Sequence, residues 1–440
     1  MSPSNSTLGI SSDDPTAQIK VFDGSANVVA RGIGALDAPL ADGLYKIRVR
    51  VGSEFQERLV ALDSKLPQQH FDRLDIASPI PIDNTARSHE YHQAAVRQAW
   101  NYPAPALGLG SRLLISAREW SLDNRRSHLD PAGALSIVLP SGDKVNFAAI
   151  AKVRQQGDAC AIGVVDVDPG FYAVELELPD GSRLRRALHA SPGWTTQLYM
   201  LFRDAAGQRL PDLAGGSVAI AHQPVVHDAQ TRLAEIALDA LTQHRAILSD
   251  HMRQLLSGKF EQPLLGLIGA HLLLREPDQT GLFGIVVDNL TSMLGIDHPD
   301  VGALRTKIGE TAPAPVTEPP MLQVSWDLLV QASSRIPGLI PPGTAAARIA
   351  ESVVPADAWL VWQPPAGQND TSRLDAKLEV VRAYVQARAQ ARLPRGLGTF
   401  AFDSPIVGPP SVDLDEEARS DLTRALGVPR MTLDTLLKRL

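Results

Sequence analysis

The chain has 440 residues, 44% of them hydrophobic and 21% charged, which suits about three folded domains and excludes a globally disordered protein. Lys and Arg total 42 against 49 Asp and Glu, so the net charge of −7 excludes a surface devoted as a whole to phosphate backbones. A single cysteine, Cys160, excludes intrachain disulfides and thiolate-rich zinc sites; no basic-then-apolar leader opens the chain, and the apolar run from Leu264 to Leu274 is about half a bilayer span, so a cytoplasmic location is expected.

Residues 1–16, rich in Ser, Asn and Asp, read as a disordered tail. Residues 17–65 read as a first β-sandwich-like module. Ile19 and Val21 alternate with polar neighbours, Asp23-Gly24 turns the chain, and Val28-Val29 opens a second strand. After Asp42-Gly43, Tyr45, Ile47, Val49 and Val51 point one way and Lys46, Arg48 and Arg50 the other, a strand with one buried and one wet face. Phe55, Leu59 and Leu62 suit its return strand. Residues 66–129 are a connection, with a helix expected from Asn84 to Trp100 and a strand from Leu113 to Ile115. Residues 130–226 read as a second β-sandwich-like module, with late strands from Gln197 to Phe202 and from Ser217 to Ala221.

The two modules share a phrase. Gly170-Phe171-Tyr172-Ala173-Val174-Glu175-Leu176 repeats the pattern of Gly43-Leu44-Tyr45-Lys46-Ile47-Arg48-Val49, and Asp180-Gly181 then turns toward Leu184 and Leu188. A Gly-x-Tyr entry predicts a ring buried at a sheet corner with its hydroxyl on backbone. The phrase resembles the transthyretin-like or carboxypeptidase-regulatory β-sandwich modules over roughly 50 residues in each copy. That resemblance implies a binding or spacing module without catalysis.

At about His227 the apolar period lengthens from that of strands to that of helices. Residues 227–310 read as a helical domain. One long helix is expected from Asp228 to Phe260, with Asp228 as its N-cap and Leu233, Ile236, Ala240, Leu255 and Leu256 near one face. A second starts at Pro263 and a third runs from Leu282 to Leu294. The four prolines of residues 311–320 read as an extended linker, and residues 321–393 as a further helical region. Residues 394–412, rich in Pro and Gly, read as a flexible linker before a helical hairpin at 413–440. The expected architecture is α+β and multidomain: N-terminal β-sandwich-like modules, an α-helical region, and a small C-terminal helical hairpin.

Catalytic signatures are sparse. The sequence has no phosphate loop, dinucleotide fingerprint or nucleophile elbow. Leu107-Gly108-Leu109-Gly110-Ser111 lacks the lysine and precedes a strand, so it reads as a turn. Ser88-His89-Glu90-Tyr91-His92 is the most metal-like cluster, with His89 and His92 on one helix face. One residue separates Glu90 from His92 where a zinc-peptidase helix needs two, so a solvated polar helix is preferred and a metal-dependent hydrolase is the least favoured function. His222 and His227-Asp228 mark the junction of the two halves. His244 and His251, with Asp250 beside the second, suit a stripe on the long helix, His271 reads as a core histidine, and Cys160 as a buried thiol. No catalytic residue, metal ligand or cofactor is assigned.

The C-terminal hairpin is more suggestive. Leu426-Gly427-Val428-Pro429 followed by Thr432-Leu433 is similar to a helix-turn-helix phrase, which makes a DNA-binding regulator the second reading. From Ser411 to Leu440, however, five basic residues stand against six acidic ones, with Asp434 on the candidate reading helix, and this weighs against nucleic acid. The preferred reading is an apolar seam of Leu422, Leu426, Leu433, Leu436 and Leu440 that docks on a protein. Farther upstream, the segment from Lys259 to Leu274, Lys-Phe-Glu-Gln-Pro-Leu-Leu-Gly-Leu-Ile-Gly-Ala-His-Leu-Leu-Leu, resembles a phrase in bacterial proteins encoded near caspase-like peptidases of signalling or defence systems. That resemblance implies an accessory, sensor or substrate role. The function expected is therefore a non-enzymatic adaptor, scaffold or target protein that binds a protein partner, such as a caspase-like peptidase, with residues 311–320 and 394–412 as exposed sites for cleavage.

Overall fold

The computed structural model describes residues 5–14, 16–51, 54–62, 68–74, 78–81, 90–119, 130, 132–155, 160–205, 208–245, 247, 249–276, 280–308, 313–354, 358–364, 377–385, 414–426 and 428–438. Its strands are β1 (Asn5–Ser12), β2 (Gln18–Phe22), β3 (Val28–Ile33), β4 (Ala35–Ala41), β5 (Gly43–Val51), β6 (Glu54–Leu62), β7 (Gln68–Phe71), β8 (Ser111–Arg118), β9 (Leu135–Val138), β10 (Lys144–Asn146), β11 (Val153–Gln155), β12 (Cys160–Val167), β13 (Gly170–Glu177), β14 (Arg183–Ala190), β15 (Thr195–Ala205), β16 (Gln208–Pro211), β17 (Ser217–Ala221), β18 (Val353–Val354) and β19 (Val361–Trp362). The helices are α1 (Glu90–Asn101), α2 (Phe147–Ile150), α3 (Ala229–Thr242), α4 (Ser249–Gly258), α5 (Pro263–Leu273), α6 (Thr280–Leu294), α7 (Pro299–Arg305), α8 (Gln323–Ser333), α9 (Ala345–Ile349), α10 (residues 377–385), α11 (Glu416–Leu426) and α12 (Arg430–Leu437). The fold is α+β, as the patterning predicts. No helix among the described residues is long and apolar enough to cross a membrane. The chain forms two compact units, one of Met1–Arg97 with Ala219–Phe283 and one of Gln98–Val218 with Gly284–Leu440.

In the first unit seven strands lie in the order β6-β5-β2-β3-β4-β1-β7. Alternation sorts their side chains: Ile19, Val21, Ile47 and Val49 are fully buried, while their polar neighbours face outward. At the two ends of the order, Arg58 on β6 donates to Oε1 of Gln69 (3.0 Å) and to the His70 carbonyl (3.1 Å) on β7. Its guanidinium lies 4.4 Å from the Phe71 ring, so the sheet curls until its end strands meet. Ile236 of α3 joins the core so formed.

The tail is where composition misleads. Residues 1–16, expected to be disordered, supply β1, which pairs antiparallel with β4 and parallel with β7. Leu8 and Ile10, at 0% and 3% exposure, carry the burial that surrounding Ser and Asn conceal. Asp14 is buried as well, ion-paired with Arg232 of α3, which also donates to the Leu74 carbonyl. Burial alone would raise the Asp14 carboxyl, but the bonds from Arg232 and Thr16 outweigh it and hold the group below its ordinary range. No local pattern could reveal a partner 218 residues away.

Asp228 caps α3 as expected, its carboxylate accepting from the Gln230 and Thr231 backbone N–H groups, while its own backbone N–H donates to Thr231 Oγ1. The single long helix expected beyond it is instead α3 followed by α4. His244 takes a left-handed φ of 53° at the break, and Arg275, just past α5, donates to the Leu241 carbonyl at 2.7 Å. A cation just past a third helix thus meets the end of α3, and the break places His244 and His251 on separate segments. α5 is buried along its whole length, His271 included, and burial lowers that imidazole to about 3.

The second unit contains two sheets, ordered β10-β9-β13-β14-β19-β18 and β11-β12-β8-β15-β16, with β17 also on β15. β8 and β15 run parallel. Ala173, Ala187 and Trp362 on one face of the first sheet pack with Trp326 and Leu329 of α8 and with Ile349 of α9. β18 and β19 add two short strands to the stretch 321–393, which reads from sequence as a helical region interrupted by Pro and Gly. They are two residues each, too short to show a period, and Val361 and Trp362 pair with Arg186 and Arg185 on β14.

The proline-rich stretch at 311–320 is likewise corrected over its described residues. Val316 is 6% exposed inside the helix–sheet core, its N–H donates to the Leu339 carbonyl (2.7 Å), and the Thr317 carbonyl accepts from Ala346 (3.0 Å). Proline density signals extended backbone, and here that backbone is bonded into the fold rather than presented to a protease. The second expected linker, residues 394–412, lies outside the described residues.

Both repeated tyrosines do what the shared phrase predicts. Tyr45 donates to the Ala41 carbonyl (2.8 Å) and Tyr172 to the Asp168 carbonyl (2.9 Å), each four residues back across the turn that opens its strand. Their rings are buried at 9% and 4% exposure. Tyr45→Phe and Tyr172→Phe are each expected to lose about 1 kcal/mol of unfolding free energy, measured in urea. Unchanged midpoints in both would show that the hydroxyls gain nothing over water.

Candidate functional site

The seam read from the C-terminal hairpin is an apolar face, and this chain occupies it. Leu422, Leu433 and Leu436 are at most 1% exposed, clustered with Leu414, Ala418 and with Leu378 and Val381 of α10, and Leu426 packs against the same cluster. Leu440 lies outside the described residues. A two-helix hairpin has no core of its own to close, so its leucines fill the nearest apolar helix. Two of its cations are also paired internally: Arg419 with Asp434 at 2.7 Å, and Arg430 with both oxygens of Glu416 at 2.6 Å. A DNA-reading helix would need those cations for phosphates.

The other residues singled out from sequence do not converge. His89, and the side chains of Glu90 and His92, lie outside the described residues. His222 follows β17, His227 sits 3.5 Å from Glu235, and Cys160 is buried on β12. The glycine-rich stretch is a turn: the Leu109 N–H donates to Asp168 at 2.9 Å, Gly110 has φ 99°, and β8 follows.

Sequence reading missed a buried histidine pair in the second unit. The rings of His189 on β14 and His298, the N-cap residue of α7, lie 4.4 Å apart. His189 Nε2 approaches Glu318 (3.3 Å), and His298 Nδ1 approaches Asp300 (3.8 Å), whose carboxylate accepts from the backbone of Met321 and Leu322. Neither nitrogen of His298 has a hydrogen-bond partner, and burial holds that imidazole well below its ordinary range, with His189 adding to the effect. In the first unit Asp13, His70 and Asp72 form an exposed group, with His70 Nε2 3.1 Å from Asp13. Three such ligands could hold a divalent ion only at an open corner.

The most developed surface is the outer face of β3, β2, β5 and β6. Pairing aligns Arg31 with Lys20, Lys20 with Arg48, and Arg48 with Glu57, one row running across all four strands. On one side of that row Phe22 pairs with Lys46 and Lys46 with Leu59; on the other, Arg50 pairs with Phe55. Leu44, Phe55 and Leu59 are 59%, 56% and 68% exposed. The Arg48 guanidinium stands 5.4 Å from the Phe22 ring and 5.2 Å from that of Phe55, and its Nε donates to Glu57 at 2.5 Å. That bond, with a weaker one from Lys46, holds the Glu57 carboxyl below its usual range. Period-two alternation marks these residues as outward-facing, but only the register shows that the cations form a row.

No protein-family description matches the chain, and no curated protein does. Among solved structures, one match is a candidate cell adhesion protein from Bacteroides fragilis, 11% identical, covering 49% of this chain and 88% of that one, with a TM-score of 0.16.

Proposed function

We propose that the protein is a non-enzymatic adaptor that binds a protein partner, with the outer face of the first unit's sheet as its docking surface. The observation that carries this reading is the exposure of Leu44, Phe55 and Leu59 on neighbouring strands. Large apolar side chains left on a wet sheet face, Leu44 and Leu59 toward one end of the strands and Phe55 toward the other, suit a surface that another molecule covers. The resemblance at Lys259 to Leu274 supports a setting in bacterial signalling or defence, with a caspase-like peptidase as the partner class it suggests. A photo-crosslinking residue at position 59, compared in the producing cell with one at Leu109 (77% exposed in the second unit), tests the reading. A discrete protein adduct from position 59 alone is expected. No adduct there, or the same adducts from both positions, would overturn it.

A further inference from the structure

Resting on the adaptor reading above, we propose that the sheet face receives an acidic segment of the partner that also carries leucine or phenylalanine, its carboxylates seated on Arg31, Lys20 and Arg48. The row itself is the first argument. These cations face one another on three neighbouring strands about 5 Å apart. Like charges placed directly opposite weaken a sheet, and the protein keeps three in line with Glu57 as the carboxylate at one end. A local arrangement that opposes folding is retained where function needs it.

Glu57 shows what an incoming carboxylate would find. One of its oxygens lies 2.5 Å from Arg48 and 3.3 Å from Lys46, leaving Lys20 and Arg31 on the far side of Arg48. Phe22 and Phe55 flank the Arg48 guanidinium, so the main anion contact is held in place before anything binds. The flanks are apolar: Leu44, Leu59 and Val29 toward one end of the strands, Phe55 toward the other. That alternation of charge with aliphatic surface fits a peptide better than a single-stranded nucleic acid, which stacks its bases on free aromatic faces. Here Lys46 and Arg48 stand over Phe22, and Arg48 over Phe55. The net charge of −7 adds a general repulsion of polyanions that a short acidic segment meets far less.

The test is selection of displayed random twelve-residue peptides on the full chain, with fluorescent copies of the winners titrated against variants. Enriched peptides are expected to combine Asp or Glu with Leu or Phe. They should lose about tenfold in affinity to Arg48→Glu and severalfold to Lys20→Gln. Lys20→Gln should also unfold at the same or a higher urea concentration than the parent, because it removes the central charge of the row. Absence of enrichment, winners without acidic residues, or affinities unmoved by both variants would overturn the proposal. So would a fall in the Lys20→Gln midpoint, which would assign the row to folding, or tighter binding of a twelve-nucleotide single strand, which would assign the face to nucleic acid. Failure of the selection alongside a position-59 adduct would remove the acidic segment and leave the adaptor; failure of both would remove both.

Discussion

Arg186→Ala is expected to destabilise the second unit by about 3–5 kcal/mol. Arg186 lies on β14 with no exposed surface, and its Nη1 donates to the carbonyls of Leu213 (2.9 Å) and Gly216 (2.8 Å). Its guanidinium stacks 4.3 Å from the Trp359 ring, while Nε and Nη2 have no partner. Burial lowers its pKa to about 9, with Asp212 opposing the shift, so it is still cationic at neutral pH. Truncation removes the side chain's packing volume and leaves two buried carbonyls without donors. Close approach is built in: a Cβ on Gly216 would sit 3.0 Å from Nη1 and 2.8 Å from the Tyr199 carbonyl, so the turn-rich stretch before β17 needs glycine there. Arg186→Met keeps most of the volume and removes the desolvated charge, so it should lose about 2 kcal/mol less than the alanine variant. All six tryptophans fall within the second unit's residue ranges, so their fluorescence during urea unfolding reads this unit. An alanine variant with the parent's midpoint would show that the guanidinium is not what ties β14 to the carbonyls beside it.

The sequence announces Arg186 only as one of several arginines in Arg183-Leu184-Arg185-Arg186, and this marks the limit of its legibility. What is written locally can be read locally. The alternation of β5, the Gly-x-Tyr corners and the Asp228 cap each depend on residues within four positions of one another, and each is found where the pattern puts it. What depends on distant partners is not legible. β1 is a strand because β4 and β7 flank it, α3 ends where Arg275 reaches it, and β19 exists because β14 has a free edge. The same division runs through the candidate sites. The hairpin leucines show their periodicity but not that α10 covers them, and the basic row needs two strand registers before Arg31, Lys20 and Arg48 become neighbours.

Acidification from pH 8 to pH 5 is expected to remove roughly 2 kcal/mol from the second unit through His298 alone. In the unfolded chain this imidazole gains its proton near its ordinary 6.5; in the fold, burial and the neighbouring His189 hold it neutral far below that. The unfolded state therefore binds the extra proton first, and stability that is complete above pH 6.5 declines as the pH falls. Asp300 works in the opposite sense. Burial raises its carboxyl above the ordinary 3.8, against the pull of the Met321, Leu322 and Ser325 bonds, so the folded state takes up that proton first and part of the loss is recovered as the pH falls toward 3.8. The steepest loss thus lies between 6.5 and the raised value of Asp300, with His189 and Glu318 the other titratable groups beside the pair. His298→Leu should flatten the profile without lowering stability at pH 8, because the ring makes no capping bond and both its nitrogens are unpartnered. His271→Leu, in the first unit, removes a histidine held at about 3 and should leave the tryptophan-reported transition unchanged. If His298→Leu keeps the parent's slope between pH 8 and 5, the acid sensitivity of this unit belongs to other groups and the buried pair has no part in it.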